Sequence, residues 1–220
     1  MFIYMSDNIY GLTRFPMINI FLYFSCVFLL YISFEYKNEY DISFFTMFLT
    51  CMVGLYVTDF VGAIIHYYLD NYTGNIKIIK NIADNFQIHH ENPIKMTKSS
   101  MVELLNQIST AWFLPFLCFL VNTGLKYNNI THYTIQISII IQIILFGIGS
   151  FSQTTHRVAH KMNIISKKER NTFTFRFIHM LQEYHIILNP KNHKTHHNGF
   201  DKNYSVFNGW STSLVNKIVK

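Results

Sequence analysis

Apolar residues in this chain gather into long blocks almost free of charge, and histidines gather outside those blocks. Met17 to Phe34 contains no charged residue, and neither does Ile42 to Thr58, whose pattern continues as helix through Asp59 to about Leu69. Ile108 to Leu125 forms a third block, with Pro115 as an expected kink that neighbouring helices tolerate. The fourth, Tyr133 to Phe151, centres on the run Ile139-Ile140-Ile141-Gln142-Ile143-Ile144-Leu145-Phe146. A helix crosses about 30 Å of hydrocarbon with roughly 20 mostly apolar residues. The pattern therefore predicts four transmembrane helices, at about 17–34, 42–69, 108–125 and 133–151. Buried helices of a soluble all-α protein are the competing reading, but four such runs leave too little polar surface to cover them. The first block is read as a retained helix rather than a signal peptide, because a nearly neutral stretch precedes it and Glu35-Tyr36-Lys37-Asn38-Glu39 follows.

Composition narrows the class further. With 9 Gly, 4 Pro and 3 Cys in 220 residues, half of them apolar, the chain is no collagen, disulfide scaffold or disordered segment. Cys26, Cys51 and Cys118 all fall within apolar blocks and read as small core residues. An even number of spans puts both termini and the segments 70–107 and 152–220 on one side. That side carries 16 of the 18 Lys and Arg, so it is expected to be cytosolic. The net charge of +6 thus has a topological origin, and nothing in it requires nucleic acid. The whole chain, 1–220, is read as a single membrane domain.

Placed on that topology, nine of the 11 histidines converge on one face of the membrane. His66 ends the second span, and His89-His90 lie in the middle segment within Gln87 to Pro93. His156 and His160 form an HxxxH just past the fourth span, His185 follows Tyr184, and His193-Lys194-Thr195-His196-His197 is an HxxHH. Residues four or three apart on a helix share a face, so His156 with His160, and His193 with His196, can each reach one metal. The doublets His89-His90 and His196-His197 can reach two. Imidazole suits several transition metals. A zinc site needs only three or four protein ligands, whereas nine histidines suffice for two six-coordinate metals with positions left open. His132 falls on the opposite side and His179 has no partner at ligand spacing, so both are left out.

Asp59 is an ionisable residue inside an apolar helix, a costly placement that usually marks function. It shares a face with His66 and Asp70, seven and four residues apart. Asp59 or Asp70 is expected to accept the N–H of a metal-bound imidazole and fix its tautomer.

At these residues the chain resembles the plasmanylethanolamine desaturases. Asp59-Phe60-Val61-Gly62-Ala63-Ile64-Ile65-His66, with Asp70 and Gly74, is similar to that family's opening motif. Gln87 to Pro93, His156 to His160 and the block Leu181 to His197 are similar to its later ones. The likeness runs from about Asp59 through Asn203-Tyr204 and Gly209-Trp210 to the C-terminus; the first span and the N-terminus show no clear match. It implies an all-α integral membrane enzyme with a cytosolic histidine-rich cap, placed in the endoplasmic reticulum. It also implies two iron ions, O2 as co-substrate, and electrons from cytochrome b5. The iron ligands it implies are His66, His89, His90, His156, His160, His185, His193, His196 and His197, and the substrate is an ether phospholipid whose 1-O-alkyl chain becomes a vinyl ether.

Three alternatives stay open. A plant plastid branch of the superfamily makes a trans double bond in phospholipid acyl chains; it lacks a histidine at the position of His185, so Tyr184-His185 favours the ether-lipid reading. Membrane sterol and fatty-acid hydroxylases share the HxxxH and HxxHH spacings. A membrane metal-binding or transport protein would instead carry ionisable ligands near mid-membrane. Electrons must come from another protein, because the chain has no nucleotide-binding glycine loop. The segment after Phe151, with 11 basic and three acidic residues, suits an acidic donor or anionic headgroups.

Overall fold

The computed structural model describes residues 41–93, 132–146, 151–199 and 201–220, together with Glu35, Asn38, Glu39, Thr97, Gly124 and Ile148. Among these the fold is all-helical. The main helices are α1 (Phe44–Asp70), α2 (Lys77–Glu91), α3 (His132–Phe146), α4 (Ser152–Ile164), α5 (Lys167–Arg170), α6 (Phe173–Glu183), α7 (Pro190–Gly199) and α8 (Thr212–Ile218).

Helix α1 begins where Ser43 turns its hydroxyl to the Thr46 N–H, a cap for an otherwise unsatisfied donor. Its 27 residues span about 40 Å at 1.5 Å per residue, and it is long and apolar enough to cross a membrane. Phe44, Phe45, Phe48, Leu49 and Val53 are exposed along its first half, which suits a lipid environment. The expected second span, 42–69, is this helix. The expected fourth span, 133–151, begins as α3, an apolar helix of 15 residues that is shorter than a bilayer crossing by itself. The expected span at 17–34, and that at 108–125 apart from Gly124, lie outside the described residues.

Helices α1 and α3 approach closely at small side chains. A β-carbon placed on Gly54 would lie 3.0 Å from Ile143, and the Thr58 hydroxyl donates to the Gly54 carbonyl at 2.8 Å and reaches the Ile143 carbonyl at 3.3 Å. Small residues allow such contact where lipid offers no hydrophobic drive between helices. Ile42, Ile135 and Ile139 form the adjoining apolar cluster, with Met47 and Ile143 packed against it.

At the other end of α1 a second cluster, Ala63, Tyr204 and Val215, seats α8 and the segment before it. Asn203 and Asn216 clasp that segment to α8, with the Asn203 N–H donating to Asn216 Oδ1 at 2.8 Å and Asn216 Nδ2 to Asn203 Oδ1 at 3.1 Å.

Candidate metal centre

The last two turns of α1 present His66 and Asp70, α2 presents His89 and His90, α4 presents His156 and His160, and α7 presents His193, His196 and His197. They meet as two neighbouring groups. His89, His156, His160, His193 and His197 bring one ring nitrogen each to a common point; His66, Asp70, His90 and His196 do the same beside them.

The interleaving follows from helix geometry. Neighbouring residues on a helix diverge by about 100°, whereas residues four apart nearly eclipse. Each doublet therefore feeds both groups: His89 and His197 join one, His90 and His196 the other. The i, i+4 pairs His156/His160, His193/His197 and His66/Asp70 each stay within one group. The expected pairing of His193 with His196 is corrected by this arrangement, since His196 turns to the other side and His193 pairs with His197.

In the five-histidine group the Nε2 atoms of His160 and His156 are 3.1 Å apart, those of His193 and His160 2.9 Å, and those of His197 and His193 3.0 Å. Metal–imidazole bonds of about 2.1 Å at right angles place ligand nitrogens roughly 3.0 Å apart, against roughly 3.4 Å for a tetrahedron. These spacings are short enough for the rings to share one metal ion.

In the second group, Asp70 Oδ1 lies 3.0 Å from His90 Nε2, and Asp70 Oδ2 lies 3.2 Å from His66 Nε2 and 3.3 Å from His196 Nε2. Backbone carbonyls fix two of these rings. His66 Nδ1 is 2.7 Å from the Tyr204 carbonyl, and His196 Nδ1 is 2.9 Å from that of Lys202. A carbonyl only accepts, so both Nδ1 atoms carry the proton, and in a neutral ring the Nε2 atom then presents its lone pair to the carboxylate. Acceptors facing an acceptor at this distance repel unless a cation lies between them. His89 is held the same way, its Nδ1 on the Phe86 carbonyl. The Nε2 atoms of His66 and His89 and the Oδ2 of Asp70 are buried without a hydrogen-bond partner among the described residues. Lone pairs that converge in the dark of the protein, unsatisfied by any donor, fit a metal ion in each group.

Burial favours the neutral form of six of these imidazoles. It pushes His89, His156 and His193 far below the usual histidine range, helped by the mutual repulsion of neighbouring rings. His160 falls to about 4 and His197 to about 2 for the same reasons. Burial also lowers His196, although the Asp70 carboxylate opposes the shift. Neutral imidazole is the form that binds metal.

Residues 55–219, well over half of the chain, match a family model described as a lipid desaturase domain. The chain belongs to the lipid desaturase family. Together with the span-length helix α1 this makes the desaturase a membrane protein, and the family assigns it an oxidoreductase activity on lipids. No solved structure matches the chain.

The structure of the desaturase brings together eight of the nine expected histidines and leaves His185 apart. His185 stands exposed just past α6 with a left-handed φ of 53°, and its carbonyl accepts the Trp210 indole N–H at 2.7 Å. Asp70 completes the second group instead: its oxygens face the Nε2 atoms of His66, His90 and His196 rather than an Nδ1–H. The signal was available, because His66-x-x-x-Asp70 repeats the spacing of His156 and His160.

Asp59 does something else again. It touches no imidazole and is fully buried. Its Oδ1 accepts from the Ser205 hydroxyl and from the Asn208 and Gly209 N–H groups, each at 3.1 Å, and its Oδ2 accepts from the Ser211 N–H at 2.9 Å and hydroxyl at 2.7 Å. It pins the segment whose Tyr204 and Lys202 carbonyls orient His66 and His196. His179, left out on sequence grounds, is exposed and lies 3.8 Å from Glu183, away from both groups.

Proposed function

We propose that this desaturase is an O2-dependent di-iron enzyme that forms the vinyl-ether double bond in the 1-O-alkyl chain of an ether phospholipid. The observation that carries the reading is the pair of adjacent donor groups, which share two histidine doublets and so could hold two metals side by side. Two irons would supply the reduction of O2 and the removal of hydrogen from an unactivated carbon. In the overall balance the alkyl chain loses two hydrogens, and O2 takes these with two electrons and two protons to become two waters. The chain's own contribution is orientation: Tyr204, Lys202 and Phe86 carbonyls hold Nδ1–H groups so that Nε2 atoms converge, and Asp59 fixes the segment that carries two of those carbonyls.

Iron and O2 are supported by the nearly all-imidazole donor set of the two groups, which would hold the ions through neutral rings. Electrons come from a cytochrome b5-type partner, in keeping with the absence of a nucleotide-binding glycine loop. A pocket of about 220 Å³ lined by His160, His193, Lys194, His197 and Asn198 brings the outer surface within reach of the rings. Residence in the endoplasmic reticulum, with the histidines on the cytosolic side, accords with the distribution of Lys and Arg.

A second reading, double-bond formation in a phospholipid acyl chain, is favoured by one observation. His185 distinguishes the ether-lipid relatives by sequence, yet here it stands outside both donor groups. Lipid mass spectrometry of plasmalogen-deficient cells expressing the chain separates the readings. Vinyl ethers appear with the wild type and vanish with His156→Ala at equal membrane abundance. Acyl products two hydrogens lighter favour the second reading, and products gaining one oxygen make the chain a hydroxylase. A zinc-loaded protein inert to O2 would turn the site to metal binding or transport.

A further inference from the structure

Helix α6 carries two sides that differ in exposure among the described residues. Phe175, Ile178 and Gln182 turn inward, with Gln182 buried. On the opposite side Phe173, Phe177, Met180 and Tyr184 stand at i, i+4, i+7 and i+11, a stripe about 60° wide by helical periodicity. All four are exposed, Phe173 at 83% and Tyr184 at 74%, and the Phe173 and Phe177 rings stack at 6.3 Å. Isolated exposed apolar residues need no explanation, whereas a contiguous aromatic stripe does.

Charge and position say what covers it. Lys167, Lys168 and Arg170, on the capped turn α5 that leads into α6, are exposed, as is Arg176 within it. These cations lie just before α6 or in its first half, and Glu169 is folded back onto the Ser166 cap. The far end of α6 is tied to the depth of the membrane helix. The carbonyl of His185 accepts from Trp210, and the Trp210 segment is gripped by Asp59, 11 residues before the end of α1 and so about 16 Å below it. The outer surface of α1 is still apolar at Ile65 and Tyr68, above that level.

We infer that α6 is an interfacial helix, with Phe173, Phe177, Met180 and Tyr184 lying in the headgroup boundary of the bilayer and Lys167, Lys168, Arg170 and Arg176 holding anionic lipid headgroups. An aromatic stripe edged by cations is the signature of a helix lying in that plane. It would set the depth at which the donor groups meet lipid chains.

The test uses the full chain with Cys26, Cys51 and Cys118 replaced by Ala, reconstituted in phosphatidylcholine vesicles with or without phosphatidylserine. Nitroxide labels are placed at Phe177→Cys on the stripe and Thr174→Cys on the flank. The label at 177 should relax with O2 in preference to a water-soluble nickel chelate, the label at 174 the reverse, and phosphatidylserine should widen the difference. Nickel access at 177 equal to that at 174 overturns the inference, as does shielding from both reagents, which would mean a protein covers the stripe. Equal behaviour in the two bilayers overturns the role of the cations. Should the cysteine-free chain fail to fold, benzoylphenylalanine at position 177 of the wild type in native membranes decides the point. A lipid adduct is expected, and a protein adduct or none refutes it.

Discussion

Asp59→Asn tests the reading that a buried carboxylate, touching none of the candidate metal ligands, sets the geometry of one donor group. The native side chain accepts from five donors, two on Oδ2 and three on Oδ1. An amide must turn a donor towards one of these sets. If its nitrogen takes the Oδ2 side, the Ser211 hydroxyl can rotate to accept, but the Ser211 N–H cannot and is stranded. If it takes the Oδ1 side, the N–H groups of Asn208 and Gly209 are both stranded. A buried donor left without its partner costs about 1–3 kcal/mol, so the better orientation costs about that much. For a chain of this size each kcal/mol lowers the melting temperature by roughly 2–4 °C, which gives a fall of about 2–12 °C. Ser205→Ala is the contrast, since it removes one donor and leaves Asp59 with four; its cost should stay near the net worth of a single bond, about 0.5–1.5 kcal/mol.

The stability loss alone would show only that Asp59 is structural. The specific expectation concerns metal. Loosening residues 205–211 frees the Tyr204 carbonyl from His66 and the Lys202 carbonyl from His196, and both rings belong to the four-ligand group. Purified Asp59→Asn should therefore retain metal in the five-histidine group and lose it from the other. Thermal melts in detergent, with metal content measured on the same sample, check both parts. Wild-type melting with two metals per chain, or equal loss from both groups, refutes the reasoning.

Asp70→Asn should likewise halve the metal content, by replacing the carboxylate that faces three Nε2 atoms with a neutral amide; full occupancy would return Asp70 to a supporting role. His185→Ala should keep both metals and wild-type melting, because the ring stands outside both groups while the backbone carbonyl bonded to Trp210 is unchanged; loss of a metal would place His185 among the ligands. Acidification should release metal and destabilise the fold together. The unfolded chain takes up protons on its imidazoles below about pH 6.5, whereas His160 resists down to about 4 and His197 to about 2. Stability present above pH 6.5 is then lost as pH falls through those values, by about 1.4 kcal/mol per pH unit for each excluded proton. Metal content and melting temperature followed from pH 7.5 to 4.5 should decline in parallel, and a flat profile would argue against buried neutral rings.

The legible parts of the site were those that helical periodicity controls. The charge-free run from Ile42 became α1, the doublets split between two groups as adjacent helical residues must, and the HxxxH pair stayed together. What periodicity left open was decided by tertiary placement. His193 can share a helical face with His196 or with His197, and only the presence of a second group beyond His196 settles which. His185 lay close in sequence to other ligands, but the left-handed turn after α6 swings it to the surface. The work of Asp59 could not be read at all, because its five donors lie about 150 positions away and are ordinary Ser, Asn and Gly residues of a loop.

The segment from Lys202 to Ser211 contains no histidine, yet it joins most of the parts that do. Asp59 grips it from α1, the Thr155 hydroxyl on α4 donates to the Val206 carbonyl at 2.6 Å, and Asn203 Nδ2 reaches the Asn192 carbonyl on α7 at 3.3 Å. Three helices that carry ligands are thus indexed to one short stretch of backbone, and two imidazoles take their orientation directly from its carbonyls. The two metal groups are consequently unequal in their support. The five-histidine group is held by rings that contact one another across α2, α4 and α7 and by the i, i+4 geometry within α4 and α7. The group containing Asp70 depends on α1, α2 and α7 meeting correctly, and the clamp on residues 202–211 is what makes two of those three meet. A buried carboxylate within an apolar helix is costly, and its persistence here follows from the number of long-range alignments that its two oxygens maintain.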